Sequence, residues 1–180
     1  MSIFSNLAGR SIEQARAYTA AVLDLLGSAD PMRVLHDTPS ALRRGVAGLD
    51  AGLMAQPEAT GKWSIGQVLQ HLADSELVWG YRLRMVLAHD RPTITGYDQD
   101  LWAARLRYDE ADPEQAIHEF TVLRQANLRL LSRASASDLT RVGVHAERGE
   151  ESVAHMIRLY AGHDVLHLRQ IERVRQAIAT

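Results

Sequence analysis

The chain has 180 residues, 46% of them hydrophobic, with no cysteine and a formal net charge of −2. Such a hydrophobic fraction is ample for one core, while the missing cysteines exclude disulfides, thiolate metal sites and cysteine nucleophiles and leave histidine and carboxylate as the strong metal ligands. The charge balance carries no footprint of nucleic-acid or anionic-membrane binding, no run approaches the roughly 20 apolar residues that span a bilayer, and Met1 to Arg10 lacks a secretory-signal pattern, so a soluble cytoplasmic protein is expected.

In chain order, Ser11 followed by Gln14 reads as a capping box opening a helix of about 16 residues that ends near Gly27-Ser28. Asp30-Pro31 and Thr38-Pro39 each place a capping side chain before a proline at a first helical position, which predicts a short turn and then a helix toward Leu49. Gln56 to Gly61 is a loop. Ser64 opens a long helix to about His89, broken at Arg91-Pro92. Gly96 to Arg107 is ambiguous, with a short helix carrying Trp102 as its best reading. Asp112-Pro113 starts a helix to about Ala134, with Ile117, Phe120, Leu123, Leu128 and Leu131 as its core face. Val142 to His145 reads as a brief extended segment, and the last helix follows Gly149-Glu150 and runs to roughly Ala177. No solenoid repeat, low-complexity tract or dividing linker interrupts the pattern. The prediction is an all-α fold: a four-helix bundle in a single domain over residues 1–180, with one core and with residues 1–29 as an N-terminal helical extension.

His163 and His167 sit four apart in the last helix, so both imidazoles lie on one face and reach a single point, which is metal-ligand spacing. On a wheel of about 100° per residue, Met156, Leu159, Tyr160, Leu166, Gln170 and Val174 share that face, so the pair points into the bundle. Two readings stay open. A shared metal satisfies both rings, or the pair is a set of core histidines hydrogen-bonded to backbone, Tyr160 or water. His71 lies at the edge of the stripe formed by Ile65, Val68, Leu72, Trp79, Leu83 and Val86. That place suits a pocket mouth and equally a half-exposed surface histidine.

The segment Gly61-Lys62-Trp63-Ser64-Ile65-Gly66-Gln67-Val68-Leu69-Gln70-His71-Leu72-Ala73-Asp74-Ser75-Glu76 resembles the first metal-ligand segment of the DinB/YfiT family of helical metalloproteins. The closing Gly162-His163-Asp164-Val165-Leu166-His167-Leu168-Arg169-Gln170-Ile171 resembles the second, in the expected order and separation. The resemblance implies an up-down-down-up four-helix bundle, often a homodimer, with a divalent metal (zinc, nickel or iron) on His71, His163 and His167. It also implies an enzyme acting on a small molecule. One version activates a low-molecular-weight thiol such as bacillithiol, mycothiol or glutathione for S-transfer or isomerisation; the alternative is a metal-dependent hydrolase. A non-enzymatic stress-associated bundle is the competing reading from another class.

Three imidazoles on a metal leave a position for water, whose pKa can then fall to about 7, or for a thiolate. Asp74 and Asp164 are candidates to orient a ligating imidazole, with solvated carboxylates as the commoner fate. Glu76, about 140° from His71 around the helix, reads as a solvated or interhelical charge. His145 reads as a surface histidine, with a fourth ligand or acid/base over the metal as the alternative. Arg82 reads as an ordinary salt bridge, with recognition of a carboxylate on substrate or thiol as the alternative. Trp63, Trp79, Trp102, Tyr81 and Tyr97 read as core, with a pocket lining as the alternative. His36, His89, His118 and His155 receive no role. Only one of the 20 basic residues, Lys62, is a lysine, which discounts a Schiff-base mechanism. A nucleophile elbow, a Walker loop, a dinucleotide fingerprint and His-Glu-x-x-His are absent.

Overall fold

Residues 12–179 are described in the computed structural model; Ser11, and with it the expected first capping box, lies outside them. Helix α1 (Ile12–Leu26) ends where Gly27 takes a left-handed φ of +56°, the conformation that glycine adopts without steric cost. Helix α2 (Pro31–Gly45) begins at Asp30, whose carboxylate accepts from the Met32 N–H, and carries Pro39 in its interior. The expected break at Thr38-Pro39 is corrected here. The buried Thr38 hydroxyl donates to the Val34 carbonyl at 2.7 Å instead of capping. Pro39 lacks the N–H that would bond the Leu35 carbonyl, and that carbonyl instead accepts from Arg124 Nη1 at 2.8 Å.

After the short α3 (Ala51–Met54), α4 (Ile65–Ala88) starts at a complete capping box formed by Ser64 and Gln67. The crossover that follows holds strand β1 (Thr93–Ile94), helix α5 (Gln99–Arg105) and a 3-10 turn at Tyr108–Glu110. Helix α6 (Pro113–Leu131) is capped by Asp112. Beyond α7 (Ala136–Leu139), strands β2 (Val142–His145) and β3 (Gly149–Ser152) form a hairpin that leads into α8 (Val153–Ile178). β2 pairs antiparallel with β3 and parallel with β1, which sets Ile94 beside His145.

Four long helices, α2, α4, α6 and α8, form a ring in which α4 touches α6 and α8, and α2 touches the same two. Their directions follow from the pairs that meet. Along α4 and α6, Gly66 faces Pro113 and Glu76 binds Arg124 and Asn127, so the two run parallel. Along α4 and α8, His71 meets His163 and Arg82 meets Tyr160, so they are antiparallel. Leu35 with Arg124 and Arg43 with Glu114 make α2 and α6 antiparallel. Gly45, at the end of α2, lies against Ile171 and its carbonyl accepts from Arg175, while Leu35 shares a cluster with Met156 and Ile157, so α2 and α8 are parallel. This is the up-down-down-up bundle. Helix α1 lies along α8 at Gly162, where a Cβ would sit 2.3 Å from the Val22 carbonyl oxygen.

The apolar interior is divided rather than continuous, which corrects the expectation of one core. One main cluster holds Leu42, Leu69, Leu72, Ile117, Phe120 and Ile171. The other holds Leu35, Trp79, Leu83, Leu131, Met156 and Ile157. Between them every long helix contributes a buried polar group: Thr38, His71 with Glu76, Arg124 with Asn127, and His163, Asp164 and His167. Burial of so many polar groups costs free energy unless each finds a partner, and their partners divide into two distinct sets.

Candidate metal centre

His71 is fully buried on α4, and His163 and His167, 8% and 7% exposed, project from α8 at the same level. The Nε2 atoms of His71 and His163 lie 3.2 Å apart and those of His167 and His163 3.1 Å apart; all three fall within 4.8 Å of one another. Tetrahedral ligands at about 2.0–2.1 Å from a zinc-like ion stand about 3.3 Å from each other. An imidazole nitrogen has a single in-plane site, either a proton or a lone pair. His163 Nε2 therefore cannot hydrogen-bond both neighbours, whereas one cation accepts all three lone pairs. The residues present fit a divalent metal.

Burial drives the pKa of His71 and of His163 well below the ordinary histidine value, with the neighbouring imidazoles adding to it. Burial likewise lowers His167 to about 4, against the opposing hydrogen bond from Gln170. All three rings are thus neutral near pH 7 and keep the lone pairs that coordination needs. The Gln170 side-chain oxygen accepts from His167 Nδ1 at 2.8 Å, which puts that ring's proton on Nδ1 and frees Nε2. Nδ1 of His71 has no hydrogen-bond partner, and the Trp63 ring packs on the same imidazole at 5.1 Å between centroids.

Beside the triad, Ser75 Oγ lies 3.3 Å from His71 Nε2 and 2.9 Å from the Tyr97 hydroxyl. Ser75, Tyr97 and His163 also line a cavity of 60 Å³, whose other walls include Arg82, His145 and Arg148. A cavity of this size holds a few waters or a small ligand group. Two expectations are corrected at this wall. His145 is buried, not on the surface, because its strand is the central one of the sheet, paired with β1 and β3, and packs against α4. Arg82 is buried too and makes no salt bridge among the described residues; its terminal nitrogens donate to Tyr160 Oη and the Thr95 carbonyl.

The second set is a charge network beside the triad, reached from α8 through Asp164, about 60° round the helix from His167. Arg124 donates to both oxygens of Asp164, to Glu76 and to the Leu35 carbonyl, and Asn127 donates to Glu76 at 2.8 Å. Burial pushes the Glu76 carboxyl up against the pull of Arg124, and the two carboxylates outweigh burial in holding the guanidinium protonated. Glu76 is therefore an interhelical charge. Asp164 is not solvated and gives its oxygens to Arg124, while the half-buried Asp74 accepts from the Tyr108 hydroxyl at 2.5 Å. Sequence reasoning missed Arg124, although its signal was present: it occupies the i+4 position after Phe120 on the Ile117, Phe120, Asn127, Leu131 face.

The remaining candidates scatter. Trp79 is core, stacked on Tyr160 at 4.7 Å; Trp102 packs on Tyr97 at 4.4 Å; Tyr81 is exposed. His36, His89 and His118 are exposed and His155 is half-buried, and none joins the cluster. No helix among the described residues is long and apolar enough to cross a membrane.

The model of the DinB superfamily matches residues 34–171, most of the chain. The chain belongs to the DinB superfamily. Its relatives there include a protein of Bacillus mycoides (strain KBAB4) named "putative metal-dependent hydrolase", 28% identical over 144 residues that span 80% of this chain and 83% of that one. A protein of Oceanobacillus iheyensis with the same description is 30% identical over 137 residues, 76% of this chain and 79% of its relative. Among solved structures, YfiT from Bacillus subtilis, described as "a probable metal-dependent hydrolase with an unusual four-helix bundle topology", matches with a TM-score of 0.73. That match covers 79% of this DinB chain and 84% of the other at 24% identity, a likeness of fold.

Proposed function

We propose that this DinB protein is a metal-dependent enzyme that holds a divalent cation on Nε2 of His71, His163 and His167 and hydrolyses a small molecule admitted by the adjoining cavity. One observation carries the reading: three neutral imidazoles converge, no fourth histidine or carboxylate joins them among the described residues, and the cavity begins at His163 and Ser75. Structural zinc takes four protein ligands, and three leave a position for chemistry. When bound, a divalent cation supplies Lewis acidity and draws water or a thiol toward its ionised form near neutral pH. The chain's own groups do the rest. Gln170 orients His167, burial keeps the imidazoles unprotonated, and the Ser75 and Tyr97 hydroxyls stand where they can hold a proton beside the open side of the triad.

Hydrolysis leads because the relatives carry that description. Activation of a low-molecular-weight thiol for S-transfer or isomerisation is the second reading, supported by the arginines on the cavity wall, since thiols such as bacillithiol and glutathione carry carboxylates. Elemental analysis of the wild type, His163→Ala and His36→Ala tests the metal. The wild type and His36→Ala retain zinc, nickel or iron and His163→Ala loses it; equal content in all three refutes the site. Turnover of an ester and amide panel that a chelator abolishes and added metal restores supports hydrolysis. No turnover, together with a thiol-dependent shift of the cobalt-substituted protein's absorption band, selects the thiol reading.

A further inference from the structure

The cavity wall opposite the triad carries a cation that the protein itself leaves uncompensated. Arg82 is 6% exposed, yet its partners are a phenol and a backbone carbonyl, and its Nε–H has none. Buried arginines are almost always matched by a carboxylate or phosphate, because an isolated buried charge is costly. Arg148, on the same cavity, is matched already by Glu151, which binds it through both oxygens. Glu147 also lines the cavity but is half-buried and makes no ion pair among the described residues, so it does not discharge Arg82.

His145 adds a second free donor. Its Nδ1 accepts from the Glu147 backbone N–H at 3.2 Å, which places the ring proton on Nε2, and that buried Nε2–H has no partner. Tyr160 accepts from Arg82 at 3.2 Å and keeps its own O–H to give. At Arg82, His145 and Tyr160 the unspent hydrogen-bonding capacity is therefore donor capacity, and of these three groups Arg82 carries the one charge.

We propose that the Arg82–His145 wall of the cavity is a carboxylate site, which makes the substrate of the adjoining triad a small molecule bearing a carboxylate. A monoanion with two coplanar oxygens matches one unpaired guanidinium and a neighbouring imidazole N–H; a phosphate dianion would bring more charge than the wall neutralises. The assignment of the carboxylate to a substrate rests on the metal-dependent reading above. Binding of the carboxylate itself does not.

Titration calorimetry on the full chain with sodium acetate as probe, and with acetamide and inorganic phosphate as controls, tests the site. Acetate binds at least tenfold more tightly than either control to the wild type and to His163→Ala. Arg82→Gln weakens acetate at least tenfold, and Arg82→Lys, which keeps the charge without the planar fork, loses a smaller factor; far-ultraviolet circular dichroism checks that each variant is folded. If Arg82→Gln does not fold, the acetate-to-acetamide ratio on the wild type and on His163→Ala decides. Acetate binding that survives Arg82→Gln but disappears in His163→Ala shows that the carboxylate sits on the metal and overturns the site, as does equal binding of acetate and acetamide. Loss of metal from His163→Ala with acetate binding intact separates the two readings.

Discussion

The polar layer of this bundle contains two clusters at the same height that differ in how completely they satisfy themselves. Around Arg124, two carboxylates and a backbone carbonyl take up both terminal nitrogens, leaving only Nε without a partner, and the Asn127 amide donates to the free oxygen of Glu76. That guanidinium also lies over the Phe120 ring at 4.6 Å, a cation–π contact that covers its face. Around the triad and Arg82, by contrast, the free groups accumulate: His71 Nδ1, Arg82 Nε and His145 Nε2 all lack partners, and three ring nitrogens crowd together. A network closed on itself holds helices in register, and one left open is built for something that the chain does not contain.

Removing the centre of the closed cluster gives the largest expected effect. Arg124→Met leaves Glu76 and Asp164 buried without a counter-ion and costs about 3–5 kcal/mol in urea unfolding at pH 7, much of it recovered by adding Glu76→Gln and Asp164→Asn. A loss below about 1 kcal/mol would show that the network is not what fixes the layer. For the open cluster, a divalent cation should stabilise the wild type by about 2.7 kcal/mol at a hundredfold excess over Kd, read as a higher melting temperature, and leave His163→Ala unchanged. An equal response from both proteins breaks the contrast.

A smaller effect tests the wall that α1 gives the cavity. Gly162→Ala forces a methyl against the Val22 carbonyl and should cost roughly 1–3 kcal/mol, read by denaturant titration; a neutral result would mean that α1 yields freely. The smallest effect depends on pH. Burial first, and then Arg148, hold His145 at about 4 instead of 6.5. Between those values the unfolded chain takes up a proton that the folded chain refuses, so stability falls as the pH is lowered through the window. His145→Gln removes that contribution, a relative gain of about 1 kcal/mol at pH 5.5 against pH 7.5. Parallel stability curves for the two proteins would exclude it.

Local signals carried most of the architecture. Ser64 with Gln67, and Asp112-Pro113, mark helix starts through contacts made within a few residues, and both stand where those contacts put them. The i, i+4 pair His163 and His167 is equally local. Pro39 misled because its effect is settled by Arg124 from another helix, which takes the carbonyl that the proline leaves free. His145 and Arg82 misled for the same reason, since their burial depends on a crossover and a hairpin packed together. Gln170 as the partner of His167 follows from i, i+3 spacing on one helix. The convergence of His71 on the pair depends on which helices are neighbours, and only the family resemblance made that legible.

The parallel run of α4 and α6 has an architectural price. A chain that leaves the bottom of one rod must travel back to the top of the next, and here that return passage passes through Gly96 and Tyr97, which line the cavity without belonging to any of the four rods. The three clustered histidines and the segment that walls the cavity beside them are thus separable parts. Lengthening or redrawing the passage alters the cavity wall while α4 and α8, which carry the histidines, stay as they are.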